Sequence, residues 1–186
     1  GAEITYFSPI NDERIANDIS GIVLGGGFPE VMADKLNSNQ SMLKSIRKAA
    51  QQDMPIYGEC GGLMYVTKSI TGYKKSKRNF RMVGIIDAKT EMTGRLTLNY
   101  TNADMNTSTF GNIENRRGHE FHYSKLIDLP SDLKYAYSMK RGIGIDGGKH
   151  DGILTHNSIA SYMHLHFHDS RFPTRWINSC IAYERK

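Results

Sequence analysis

Cys60 is the residue around which the sequence organises its chemistry. It lies in PIYGECGGLMYV, where an apolar β-prone run meets Gly58, Glu59, Cys60, Gly61 and Gly62 and a helical pattern follows at once. That layout is the frame of a nucleophile elbow, in which a reactive side chain sits on a sharp strand-to-helix turn. Glycines flanking the nucleophile let the turn tighten and let its backbone approach both the helix and a substrate. The first turn of the helix offers free N–H groups and a partial positive charge. Both favour thiolate, whose ordinary pKa of about 8.5 falls below 7 in such settings. The alternative state of a free cysteine, buried and inert, fits Cys180, which falls on the apolar face of the last helix.

A nucleophilic cysteine requires a base, and all seven histidines follow residue 118: His119, His122, His150, His156, His164, His166 and His168. A base distant in sequence and near in space is the normal arrangement for Cys–His enzymes. As a strand, SYMHLHFHD would place His164, His166 and His168 on one face. Such a row could supply the base or hold zinc or nickel. Alternate positions on a strand stand about 6–7 Å apart, and metal sites usually recruit ligands from several segments, so no metal is assigned.

Two glycine-rich stretches divide differently. LGGGFPE, residues 24–30, closes a strand without the pattern of an ATP phosphate loop. At the end of a strand in an open parallel sheet it would line a ligand crevice. The N–H groups of Gly26 or Gly27, together with that of Gly61, could then form an oxyanion hole, each donor contributing roughly 3–4 kcal/mol. Residues 142–147, GIGIDG, fit the dinucleotide fingerprint GxGxxG but lead into a turn and a strand instead of a helix. No nucleotide site is assigned there.

The elements that must position these groups read as follows. ITYF, GIVLGGG and MPIYGEC are strand candidates. NQSMLKSIRKAAQQD is a helix with Asn39 as its N-cap and Met42, Leu43, Ile46, Ala49 and Ala50 on one face. GGLMYVTKSI reads as the start of another helix. This alternation implies a mainly parallel sheet with helices on its faces. From about Met82 to Tyr123, MVGIIDA, RLTLNY and GHEFHYS are β-prone and predict antiparallel additions. SIASYMHLHFH reads as one strand, and a closing helix carries Phe172, Trp176, Ile177, Cys180 and Ile181 on one face.

At 186 residues, with 39% hydrophobic and 23% charged, the chain has the size and composition of one folded domain. Its 24 basic and 19 acidic residues leave a net charge of +5. The basic residues are scattered except for Lys74, Lys75, Lys77, Arg78 and Arg81, a solvated run or a contact for a polyanion or partner domain. No apolar stretch could span a bilayer, no signal peptide is visible, and two cysteines are too few for a disulfide framework. A cytoplasmic location without nucleic-acid or membrane partners is expected.

SPIND, LGGGFPE, PIYGECGGLMYV, RLTLNY, RGHEFHYS and ASYMHLHF occur in the order seen in cobyrinic acid a,c-diamide synthases. Nearly the whole chain resembles their C-terminal glutamine amidotransferase domain. GECGG alone is shared by many class I glutaminase-like proteins, whereas GHEFHYS with ASYMHLHF is narrower. The resemblance implies a flavodoxin-like, three-layer α/β fold. It makes Cys60 the nucleophile and His164 the base, with His166 as second choice. The usual carboxylate two residues after the histidine is absent, because that position is His166 itself, which implies a Cys–His dyad. Glu59 or Glu120 could orient a histidine, and His119, Glu120 and His122 could shape the site or a domain interface. The implied substrate is glutamine, and no cofactor is bound by this domain. An N-terminal synthetase domain using ATP and Mg2+ would take the ammonia to amidate a corrinoid tetrapyrrole at the interface. That domain is not contained in these 186 residues, and a homodimer is also compatible. Nickel-sirohydrochlorin and hydrogenobyrinic acid synthases share the motifs. Another Cys–His hydrolase, or a metal-holding binding module, would be the alternatives from different classes.

Overall fold

A computed structural model describes residues 2–71 and 78–185. Lys74, Lys75 and Lys77 of the basic run fall outside the described residues. The first strand, β1 (Ile22–Leu24), is followed by a 3-10 turn at Pro29–Val31 and two helices, α1 (Ala33–Ser38) and α2 (Gln40–Gln51). The Asn39 side chain accepts the Met42 N–H at 3.2 Å and caps α2. The same side chain donates to the Pro9 and Asp12 carbonyls, tying the SPIND turn to that helix. Met42, Leu43, Ile46, Ala49 and Ala50 are all buried, as the helical spacing requires.

Strand β2 (Ile56–Glu59) runs into α3 (Gly61–Val66), and β3 (Thr67–Thr71) follows immediately. TKSI is therefore strand and not a continuation of the helix. Thr67 Oγ1 donates to the Met64 carbonyl at 2.7 Å and ends α3. Val66, Thr67, Ile70 and Thr71 are β-branched, which favours the extended chain.

The rest of the chain is largely sheet: β4 (Asn79–Arg81), β5 (Ile86–Thr107), β6 (Gly111–Ile127), β7 (Lys134–Arg141), β8 (His150–Thr155), β9 (Ser158–Ser161) and β10 (His164–Leu165) precede α4 (Arg171–Glu184). One mixed sheet runs β1-β2-β9-β8-β7-β5-β3-β4, with β6 on the other side of β5 and β10 on β6. Its parallel part is β1, β2 and β9, plus the β3–β5 pair. The antiparallel additions predicted from the middle of the sequence are present and extend past Tyr123 through β7 and β8.

Helices α1, α2 and α3 contribute to one apolar cluster, with Leu36, Ile46 and Leu63 among its buried members. On α4, Phe172 and Trp176 join a second cluster with Tyr57, Phe110 and Tyr137. Cys180 is buried but Ile181 is substantially exposed, so the apolar face of α4 is only partly covered. No helix of the described residues is long and apolar enough to cross a membrane.

Two strand expectations fail in instructive ways. ITYF, residues 4–7, forms no strand, and Ile4 and Tyr6 are exposed. Among the described residues β1 is the outer strand on that side, so ITYF has no ladder to join. SYMHLHFH is not one strand either. β9 ends at Ser161, the chain turns through Tyr162 and Met163, and β10 holds only His164 and Leu165. Asp151 makes that corner: its buried carboxylate accepts the N–H groups of Tyr162 at 3.0 Å and Met163 at 2.8 Å.

Candidate active site

Cys60 occupies the corner between β2 and α3 with φ 47° and ψ −96°. A non-glycine residue there is strained, and strain of this kind clusters at functional sites. The Cys60 N–H donates to the Ser161 carbonyl at 2.7 Å and its carbonyl accepts the Met64 N–H at 3.0 Å, so both neighbours hold the corner shut. The sulfur lies 3.4 Å from the carbonyl oxygen of Phe121 on β6.

The Tyr162–Met163 corner delivers His164 to this sulfur. The imidazolium is pushed up to about 9, first by Cys60 and then by Glu59, against the opposing effect of burial. The direction of that shift favours the protonated ring beside the sulfur. Glu59 Oε2 stands 3.6 Å from His164 Nδ1. That is an ion-pair contact, longer than a hydrogen bond, of the kind that tightens as a reaction develops charge. Because Nδ1 faces the carboxylate, Nε2 is the ring nitrogen left free of it.

Glu59 is itself fixed. Its Oε1 accepts the Tyr57 hydroxyl at 2.5 Å and the Leu165 N–H at 2.9 Å. Tyr57 and Glu59 are two apart on β2 and so share a face, and Tyr57 packs against Phe172 with ring centroids 5.1 Å apart. Burial raises the Glu59 carboxyl, but His164, Tyr57 and the Leu165 N–H outweigh it and hold the group below its ordinary value. The carboxylate facing His164 thus comes from the residue just before Cys60, the last of its strand.

The glycine turn after β1 forms the opposite wall. A Cβ on Gly26 would meet His164 Cε1 at 2.4 Å, and one on Gly61 would meet the Gly27 backbone at 2.8 Å. Only glycine permits these approaches, so Gly26, Gly27 and Gly61 lie close around the Cys60–His164 pair. A cleft of about 440 Å³ is lined by Gly26, Gly27 and Gly61 together with Phe7, Phe28 and Tyr65. Neither Cys60 nor His164 lines it.

The remaining candidates separate by the face of β6 on which they stand. His119 pairs with His164 across the β6–β10 ladder, and their rings stack at 4.7 Å. Burial, followed by the charge on His164, lowers His119 below the ordinary histidine value. Glu120 and His122 do not reach His164. Glu120 accepts the N–H groups of Ile143 at 2.7 Å and Gly144 at 3.0 Å and the Asn99 amide at 2.8 Å. It is the clamp of the GIGIDG loop. His122 stacks on Tyr162 at 3.7 Å, and its Nδ1 lies 2.8 Å from the Ser124 carbonyl.

His166 lies past the end of β10, exposed, with its ring 6.0 Å from that of His168. Arg116, buried, pairs with Asp169 at 2.7 Å and holds that segment down. The one-face histidine row is therefore absent, and no three metal-ligating side chains converge among the described residues. Burial raises the Cys180 thiol to about 11, consistent with an inert cysteine. Sequence reasoning missed Tyr57, Asp151 and Arg116. The i, i+2 spacing of Tyr57 and Glu59 was a usable signal, whereas the other two act through distant partners.

An elbow cysteine, a histidine from a later strand and a glycine turn on one α/β sheet are the layout of glutamine amidotransferases. Solved structures agree on the fold. A Thermoplasma acidophilum protein described as a GMP synthase subunit superimposes with a TM-score of 0.61 at 18% identity, covering 95% of this chain and 80% of that one. PurLQS from Thermotoga maritima gives 0.59 at 15% identity, covering 94% and 83%. The chain belongs to the CobB/CobQ-like glutamine amidotransferase domain family, matching it over residues 1–172.

Curated relatives are cobyrinate a,c-diamide synthases. That of Methanosarcina barkeri is 38% identical over 178 residues, 89% of this chain and 36% of the relative. That of Dehalococcoides mccartyi strain 195 is 41% identical over 174 residues, 90% of this chain and 36% of the relative. The Synechocystis relative is 36% identical over 191 residues, 100% of this chain and 38% of its own length. The chain thus spans little more than a third of these relatives.

Proposed function

We propose that this chain is the glutaminase part of an ATP-dependent tetrapyrrole a,c-diamide synthase acting on cobyrinic acid. The observation that carries the reading is the convergence of Cys60, His164 and Glu59 against the Gly26–Gly27 turn. Cys60 thiolate attacks the side-chain carboxamide carbon of glutamine, and the N–H groups of Gly26, Gly27 and Gly61 receive the developing oxyanion. As the C–N bond breaks, His164 Nε2 gives its proton to the departing nitrogen, releasing ammonia and leaving a thioester. Water then attacks the thioester while His164 takes its proton, and glutamate leaves with regeneration of the thiolate. Glu59 is a positioning residue in this account, holding Nδ1 and stabilising the imidazolium. On this reading Glu59, upstream in sequence, adds a third member to the Cys–His dyad that the resemblance implies.

Ammonia would pass to a synthetase domain, which uses ATP and Mg2+ to activate the a and c acetates of the macrocycle. No residue of this chain is assigned to those cofactors. The names of the curated relatives favour cobyrinic acid over the nickel or metal-free macrocycle.

The test is glutamate release from glutamine by the wild type and by Cys60→Ala, with and without a synthetase partner. Release that vanishes in the variant supports the reading. Release that persists in Cys60→Ala, or is absent from a folded, partnered wild type, overturns it.

A further inference from the structure

Exposed large apolar side chains are ordinary when scattered, and informative when they form a contiguous patch. β5 and β6 carry such a patch. Leu96, Leu98 and Tyr100 are 43%, 60% and 74% exposed, and Phe121 is 36% exposed. The four share one face: Leu98 pairs with Phe121, and Tyr100 pairs with His119. Cross-strand partners stand on the same side of a sheet, as do residues two apart on one strand.

That face continues into the catalytic pair without a break. His119, beside Tyr100, pairs with and stacks on His164. The backbone carbonyl of Phe121 is the one against the Cys60 sulfur. Three adjacent strands therefore present Tyr100, His119 and His164 in one row, with Leu98 and Phe121 forming the next. On the opposite face of β6, Glu120, His122 and Ser124 are buried, with Glu120 and Ser124 hydrogen-bonded within the core. The exposure belongs to one side only, the side where the chemistry opens.

We infer that the face carrying Leu96, Leu98, Tyr100 and Phe121 is the docking surface for the ammonia-consuming domain of the parent synthase. The inference rests on the glutaminase reading. Ammonia that escapes into water is mostly protonated and diluted, so efficient transfer from glutamine requires the consuming site to meet the producing one. The relatives supply the candidate occupant, since the greater part of their length lies outside the match. Aromatic and aliphatic side chains are the anchors expected at such a contact. Arg141, placed 5.9 Å over the Tyr100 ring, adds a charged group at the border of the patch.

The experiment places these residues in the Methanosarcina barkeri synthase in exchange for its matching segment. Amide hydrogen exchange over residues 95–101 and 117–123 is then compared between that chimera and the 186-residue chain alone. Slower exchange in the chimera is expected, in the Cys60→Ala chimera as well, and equal exchange overturns the proposal. Protection appearing in the isolated chain at high protein concentration, or on adding cobyrinic acid alone, overturns it in favour of a second copy or a ligand platform. Leu98→Glu with Tyr100→Glu in the chimera is expected to cut glutamine-driven amidation about tenfold or more. Amidation driven by ammonium salts and glutamate release should persist. Unimpaired glutamine-driven amidation overturns the surface, whereas loss of glutamate release in the unsubstituted chimera overturns the glutaminase reading and leaves the exchange result standing.

Discussion

Two carboxylate–histidine pairs stand on either side of the same sheet and meet different fates. Glu59 and His164 approach to 3.6 Å beside the cysteine, and Glu120 and His122 approach to 3.9 Å in the core. In both, the carboxylate is held below its ordinary range by its partners despite burial. What separates them is what the histidine can still touch. His122 is closed in by Tyr162 on its face and the Ser124 carbonyl at Nδ1. His164 has one edge on Glu59 and keeps the other for Cys60. An unpartnered ring nitrogen alone does not separate the pairs, because His122 Nε2 also lacks a hydrogen-bond partner among the described residues. It is buried against Glu120, whereas His164 lies against Cys60.

Substitution of the two histidines is the strongest way to break this contrast. His164→Asn is expected to lower glutamate release by about 10²–10⁴-fold, with little change in thermal unfolding. His122→Asn should do the reverse, lowering the unfolding midpoint while the remaining folded protein keeps its turnover. Equal losses of turnover would erase the distinction.

The carboxylates come next. Glu59→Gln should lower glutamate release by about 10²-fold, the scale of a misplaced catalytic group. It should also move the pH profile. His164 is pushed up to about 9 by Cys60 and Glu59, so the protonated form, the proton donor in the proposed mechanism, is lost as pH rises through about 9. Removing the Glu59 charge lowers that value, and the alkaline limb of kcat/KM must shift toward acid. A purely structural role for Glu59 would reduce activity without moving the limb. Glu120→Gln should leave the limb in place and loosen residues 142–144, read as faster amide exchange at Ile143 and Gly144.

Asp151→Ala is expected to act more weakly still and by another route. It removes the acceptor for the Tyr162 and Met163 N–H groups, and orphaned buried donors cost about 1–3 kcal/mol of stability. Chemical denaturation measures that loss, and a rise in KM with the displaced His164 should accompany it.

Much of this site was legible before folding was considered. The frame around Cys60 announces strand, turn and helix in one short segment, and the spacing in α2 with its Asn39 cap is equally local. Cys180 falls on an apolar helical face, which is where an inert thiol belongs. The failures share a cause in distant partners. ITYF has the composition of a strand, but strand formation needs a neighbouring ladder. SYMHLHFH alternates correctly and is broken by Asp151, which sits on the strand before β9 and holds the corner from there. TKSI follows a helix pattern smoothly, and only its pairing with β4 and β5 makes it sheet. Sequence alone offered Glu59 and Glu120 alike as partners for a histidine, and only the β2–β9–β10 geometry separates them, bringing Glu59 to 3.6 Å from His164.

The central claim is that Cys60, and not Cys180, is an activated nucleophile shaped for glutamine. A glutamine analogue bearing a chloromethyl ketone in place of the carboxamide tests it on the chain as it stands, with peptide mass spectrometry locating the label. The account predicts labelling confined to Cys60, slowed by free glutamine and suppressed in His164→Asn. Labelling of Cys180 at the same rate, or labelling of Cys60 that glutamine does not slow, would contradict it.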